Sequence, residues 1–197
     1  TPLLTRVRNR VERARLHRWR TAAYRSERRH IVMGGSPRSG TTVLRRLLDR
    51  HPEVRAGAET KLFVPAAFNL EFLASAYEVP LGELETMRSS ATSQAAFIDA
   101  FASAVREGCG KERWAEKTPQ NIRYLDWITS RFPKVSIVHI IRDGRDASSS
   151  HMHKPWLRAE DAWSGPADTG ARLWSGPFQP NNFSIKLFVL PDFFSTD

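Results

Sequence analysis

The segment that most constrains this chain is the short apolar run Ile31-Val32-Met33. It breaks into Gly34-Gly35-Ser36-Pro37-Arg38-Ser39-Gly40-Thr41-Thr42 and then into the amphipathic run from Val43 to Arg50. A strand that turns through a Gly/Ser/Pro loop into a helix leaves the first helical N–H groups without intrahelical partners, and these converge on an oxyanion. Gly35 and Gly40 stand at the two glycine positions of the pattern G-x-x-x-x-G-K-[ST], but Thr41 occupies the place of its lysine. Losing that lysine removes the grip on a triphosphate tail. Arg38, inside the loop, supplies a planar fork of donors instead. The alternative for such a loop taken alone is an ordinary strand-to-helix turn.

A second anion loop follows a second strand. Val135 to Ile141 is nearly continuous in apolar, β-branched residues, the pattern of a strand buried on both faces, and it opens into Arg142-Asp143-Gly144-Arg145-Asp146. A phosphate-loop kinase wants an acidic residue at this strand end to order Mg²⁺, whereas this chain places Arg142 first, which suits a second phosphate. Between the two loops lie two further candidates. Pro52 stops the helix after the first loop, Gly57 permits a turn, and Glu59 follows in a loop, where a lone carboxylate is by default solvated. Arg113 to Lys117 reads as a short strand entering a helix start, with Thr118 as cap and Pro119 in its first turn. Ligands of open parallel sheets bind outside the carboxyl ends of the strands, so Lys117 is expected to face the same crevice as Arg38; the default for such a lysine is a surface charge.

Taken together, Pro-Arg-Ser-Gly-Thr-Thr at 37 to 42, Leu-Asp-x-His-Pro-Glu-Val-Arg-x-Gly-x-Glu-Thr at 48 to 60, Lys-Thr-Pro at 117 to 119 and Arg-Asp-Gly-Arg-Asp-x-x-x-Ser at 142 to 150 resemble the sulfotransferases, closest to the protein-tyrosine and related bacterial enzymes. The resemblance covers roughly residues 31 to 154. It implies 3′-phosphoadenylyl sulfate as co-substrate, with Arg38, Ser39, Gly40, Thr41 and Thr42 around the 5′-phosphosulfate. It also implies Arg142 and Ser150 on the 3′-phosphate, with Lys154 as a further basic contact. By the same resemblance Glu59 is the catalytic base and Lys117 contacts the transferring group, so that Glu59, Lys117 and Arg38 form the catalytic set. Two departures stand out: Ala58 where the protein-tyrosine enzymes carry a second glutamate, and Lys61-Leu62-Phe63 in place of an arginine-bearing acceptor pattern. The acceptor implied is a hydroxyl on tyrosine, carbohydrate or a small molecule. The alternatives are a non-catalytic relative that only binds nucleotide and a phosphate-loop kinase.

The expected fold is α/β, a three-layer P-loop-type domain with a mostly parallel central sheet flanked by helices. We expect a helical arm at 1 to 29, the core at 30 to 155, and an irregular, truncated tail at 156 to 197 without clear strand or helix period over 181 to 197. Apolar residues within Asn121 to Phe132 predict one helix there, and Phe97, Ala100, Phe101, Ala104 and Val105 predict the buried face of another, capped by Thr92 or Ser93. Residues 61 to 90 read as helices and loops walling an acceptor cleft.

The net charge of +9 is concentrated: residues 1 to 30 hold ten arginines against Glu12 and Glu27, so a general nucleic-acid role rests on this arm alone. Leu4, Val7, Val11 and Ala14 predict a basic amphipathic helix laid stripe-inward on the domain, with contact to an anionic surface as the competing reading and no specific nucleic acid expected. His139, His151 and His153 lack partners at ligand spacing and Cys109 is the sole cysteine, so no metal site or internal disulfide is expected. The absence of a long apolar run leads to a cytoplasmic expectation.

Overall fold

The computed structural model describes residues 2 to 144 and 186 to 189, with the side chains of 10 to 144. In chain order the elements are α1 (Pro2–Thr21), β1 (Ile31–Gly35), α2 (Thr41–Asp49), β2 (Val54–Ala56), α3 (Leu70–Tyr77), α4 (Leu81–Ser90), α5 (Gln94–Gly108) and β3 (Arg113–Lys117). A 3₁₀ turn (Pro119–Tyr124), α6 (Leu125–Arg131), β4 (Ser136–Ile141) and β5 (Lys186–Val189) follow. The sheet order is β2-β3-β1-β4-β5. β1 pairs in parallel with β3 and β4, β2 in parallel with β3, and β5 antiparallel with β4. The mostly parallel α/β sheet expected from the sequence is therefore present. The apolar string near the carboxyl end differs from expectation at 186 to 189, where it adds an edge strand that Phe-rich composition did not announce.

Side-chain alternation divides the core into two layers. Ile31, Met33, Val54, Ala56, Ala115 and Val138 face α2 and meet its Leu44 and Leu48. Val32, Trp114 and Ile137 face the other way, into a larger cluster with Phe63, Phe97, Phe101 and Phe132 from α5, α6 and the intervening loops. All five residues of β1 are buried. In β3 the same alternation sends Trp114 and Glu116 to the aromatic layer and Ala115 and Lys117 to the α2 layer.

Several local expectations are corrected. Residues 121 to 132 are a 3₁₀ turn and a short α-helix rather than one helix, because Asn121 and Pro119 are buried against β1 and β3 and divert the chain. Thr118 stands before that turn but makes no side-chain cap bond, since its hydroxyl turns to Glu116 instead. Ser93, not Thr92, caps α5 by accepting from Ala96 N–H at 3.0 Å, and the buried face of α5 includes Ile98, Asp99 and Ala102 while Ala100 is exposed. Gly57 serves close approach: a Cβ there would lie 2.3 Å from the Tyr77 ring, whose hydroxyl donates to the Ala58 carbonyl at 2.6 Å.

The arm is a helix, as predicted, but the described part of its apolar stripe faces solvent. Val11 is 64% exposed and Ala14 is also exposed. The final turn does the docking. Trp19 Nε1 donates to Ala91 O at 3.1 Å and Arg20 donates to Phe63 O at 3.0 Å and Gln94 Oε1 at 3.2 Å. The Arg20 guanidinium also stacks 3.9 Å over Trp127, and burial brings its pKa down to about 10. Two long side chains with polar ends outcompete small apolar residues because they bury area and satisfy donors together.

A second polar knot fixes the linker between arm and sheet. His30 Nε2 lies 2.6 Å from Asp99 Oδ1, and Tyr24 O–H donates to Asp99 Oδ2 at 2.7 Å. Burial pushes the Asp99 carboxyl up, but bonds from His30, Ser26 and Tyr24 outweigh it and leave it below the ordinary value. A carboxyl held lower in the folded than in the unfolded chain stabilises fully above its unfolded pKa, and that contribution fades as pH falls. Thermal melts across pH should therefore show an acid limb that flattens in Asp99→Asn, at a cost of about 1 to 3 kcal/mol near neutrality; an equally steep limb in the variant would reject this assignment.

Candidate functional site

The site is assembled at the carboxyl ends of β3, β1 and β4, which lie side by side. The register levels Gly35 with Ile140 and Met33 with Lys117, so the loops after β1 and β4 emerge from the same edge as the β3 lysine. Adjacent strands are separated by about 4.8 Å, so the three strand ends span roughly 10 Å.

The loop after β1 enters α2 through Gly40, which adopts φ 97 and ψ 12, a left-handed conformation that costs glycine nothing. Arg38 also takes positive φ, at 69, and is exposed. A non-glycine residue in this region marks backbone held by its surroundings. Part of that hold is visible: Arg142 Nη1 donates to the Arg38 carbonyl at 3.0 Å. Arg38 and Arg142 are thus brought together across 104 residues of sequence. Ser39 Oγ is buried with no hydrogen-bond partner among the described residues, and Thr41 is buried while Thr42 is exposed. An orphaned hydroxyl beside the amino end of α2 fits a loop made to receive an anion. In α2 itself, Leu44 and Leu48 pack on the sheet, while Val43 and Leu47 stay exposed because a helix lying on one sheet face buries only one stripe.

Glu59 and Lys117 are also brought together. Lys117 Nζ donates to Glu59 Oε2 at 2.8 Å, with the lysine side chain 9% and the glutamate side chain 31% exposed. The lysine is not the surface charge that is the default for such a position. By strand alternation it leaves β3 on the α2 face, at the strand end level with Met33 of β1. Ser150 and Lys154 lie outside the described residues.

The sequence reading missed the residue beneath this pair. Glu116 is fully buried on the aromatic side of β3 and its carboxylate is surrounded by donors. Oε1 accepts from Thr60 N–H at 3.2 Å, from the Thr60 hydroxyl at 2.7 Å and from the Thr118 hydroxyl at 2.5 Å, while Asn121 Nδ2 donates to Oε2. Burial drives the Glu116 pKa up, and the bonds from Thr118, Thr60 and Asn121 pull the other way. A glutamate directly before the candidate lysine, between Trp114-Ala115 and Thr118, was a signal available in the sequence, since strand alternation turns it inward. A second clamp is Lys111, whose Nζ donates to the carbonyls of Asp49, His51 and Val54 at 2.7, 3.1 and 2.7 Å, closing the end of α2 onto β2.

Comparisons with known proteins place the chain in a family. The model of the sulfotransferase family matches residues 30–179. Protein-tyrosine sulfotransferase A of Caenorhabditis elegans is 32% identical over 125 residues, 61% of this chain and 32% of the relative. Protein-tyrosine sulfotransferase 1 of Homo sapiens is 30% identical over 140 residues, 68% and 37% of the two chains. Protein-tyrosine sulfotransferase of Drosophila melanogaster is 32% identical over 132 residues, 64% and 26%. The chain spans about a third of the length of these curated relatives. A family match across the whole segment that builds the loops after β1 and β4 and the Glu59–Lys117 pair leads to one conclusion: the chain belongs to the sulfotransferase family.

Proposed function

We propose that this chain transfers a sulfuryl group from 3′-phosphoadenylyl sulfate to a hydroxyl acceptor. The observation that carries the reading is the bond from Arg142 to the Arg38 carbonyl, which joins the loops after two adjacent parallel strands, each of them carrying an arginine. A donor with anions at both its 5′ and 3′ positions matches a cation on each loop. The buried Ser39 hydroxyl and the first amides of α2 would hold the 5′ end, and Arg142 the 3′-phosphate, with Ser150 and Lys154 as further contacts by family resemblance.

In the proposed reaction the acceptor O–H gives its proton to Glu59, the acceptor oxygen forms a bond to sulfur, and the bond from sulfur to the 5′-phosphate oxygen breaks in line. The products are a sulfate ester and adenosine 3′,5′-bisphosphate. Lys117 engages Glu59 Oε2, which leaves Oε1 to meet the acceptor hydroxyl. The ammonium carries three donors, so it can hold the carboxylate and still reach the sulfuryl oxygens or the departing phosphate. Charge developing on that leaving group falls between Lys117 and the Arg38 loop, where fixed donors stabilise it without reorganisation. General-base action of this kind is worth about 10²- to 10⁴-fold. The relatives' names point to tyrosine of a protein as acceptor, and Ala58 with Lys61 to Phe63 marks where this chain would recognise it differently.

Exposed Arg10, Arg13 and Arg15 of α1 favour a second, separate role. Residues 10 to 15 are all exposed, with Arg10, Arg13 and Arg15 among them, which supports contact of the arm with an anionic surface.

Two variants test the main reading. Glu59→Gln should lower turnover by at least about 100-fold while thermal shift by adenosine 3′,5′-bisphosphate stays unchanged; retained turnover would remove the base. Arg142→Ala should weaken that same nucleotide by about tenfold or more, the scale of a charge-assisted bond of 1.5 to 3 kcal/mol. A larger shift with ATP·Mg than with adenosine 3′,5′-bisphosphate in the parent chain would favour a kinase instead.

A further inference from the structure

Glu116 touches none of the reacting groups assigned above, yet the loop that carries Glu59 is tied to it bond by bond. Thr60 N–H donates to Glu116 Oε1 directly. Lys61 N–H donates to Thr118 Oγ at 3.0 Å and Leu62 N–H to Thr60 Oγ at 3.2 Å. Both hydroxyls pass the link on, since each donates its own proton to Glu116 Oε1. The N–H groups of three successive residues after Glu59 thus terminate, directly or through one hydroxyl, on a single buried carboxylate.

The backbone records the strain this anchor restrains. Lys61 sits at φ 56, in the left-handed region that a lysine leaves unless it is held. The other partner of the ion pair is tied to the same point, because Lys117 lies between Glu116 and Thr118 in sequence. Glu116 and Lys117 leave opposite faces of β3, so their connection runs through the backbone.

We propose that Glu116 is a positioning residue for sulfuryl transfer: its buried carboxylate fixes the turn from Thr60 to Leu62 and thereby holds the Glu59 carboxylate against the Lys117 ammonium. The functional half of this inference rests on Glu59 being the base. A carboxylate is required because it only accepts, and donors approach it from Thr60, Thr118 and Asn121. Glutamine would keep Oε1 as acceptor for the turn but set its amide against Asn121 Nδ2.

The test is a double-mutant cycle of thermal melts on Glu59→Gln and Lys117→Met, run in the parent, Glu116→Gln, Thr118→Val and Glu116→Ala backgrounds. The two substitutions should be non-additive in the parent, nearly as much so with Glu116→Gln, less with Thr118→Val, and additive with Glu116→Ala. Equal coupling in the parent and Glu116→Ala, or none in the parent, would overturn the proposal. Should Glu116→Ala fail to fold, the near-isosteric Thr118→Val decides, and undiminished coupling there overturns it equally. In turnover assays Glu116→Ala should lower kcat by about 10²-fold with adenosine 3′,5′-bisphosphate affinity held within about twofold; a matching loss of nucleotide affinity would instead mark a general collapse and overturn it. A parent chain without turnover would remove the transferase reading, while the melting cycle would still decide whether Glu116 positions the pair.

Discussion

Everything in this molecule is referred to β1, a strand with no face or edge in water. Its five residues are buried, and it pairs with β3 on one side and β4 on the other. Buried on both faces and paired on both edges, it has no freedom of register, because a one-residue slip would drive Val32 into the α2 layer and Ile31 and Met33 into the aromatic layer. That single constraint levels three strand ends. The Arg38 loop, the Arg142 loop and Lys117 lie at one edge of the sheet because their strands share this neighbour.

Strand register alone does not place side chains to the accuracy chemistry needs, and the loops are finished by buried polar contacts. Glu116 gathers the turn after Glu59, Lys111 closes three carbonyls at the end of α2, and Asp99 ties His30 and Tyr24. Glu116 and Asp99 are carboxyl groups taken out of water, a cost of several kcal/mol for an ion that only near-complete hydrogen bonding offsets, while Lys111 is half-buried. The same feature makes them specific. A loop that drifts from such an anchor strands a buried charge, so the alternatives to the observed geometry are few.

The arm obeys a different rule. Its arginines give it charge without giving it a place, and it is located by Trp19 and Arg20, which insert into the groove beside Phe97, Gln94 and Trp127. An arginine stacked on an aromatic ring and bonded to a carbonyl is a packing element first and a charge second. Residues 10 to 15, before that anchor, are exposed to solvent.

The sequence by itself determined the loops at Arg38 and Arg142 and the strands that precede them, since glycine spacing, β-branched runs and a cation at each strand end are local signals. It also marked Glu59 and Lys117 as candidates, each with solvated charge as the default reading. Only the tertiary structure decided that these two meet, that Arg142 reaches the Arg38 carbonyl, that Val11 faces water, and that residues 186 to 189 complete the sheet. The physical reason is range. Periodicity and turn chemistry are set by neighbours within a few residues, whereas an ion pair between positions 59 and 117, or a buried carboxylate shared by Thr60, Thr118 and Asn121, exists only once the sheet has brought distant segments to one edge.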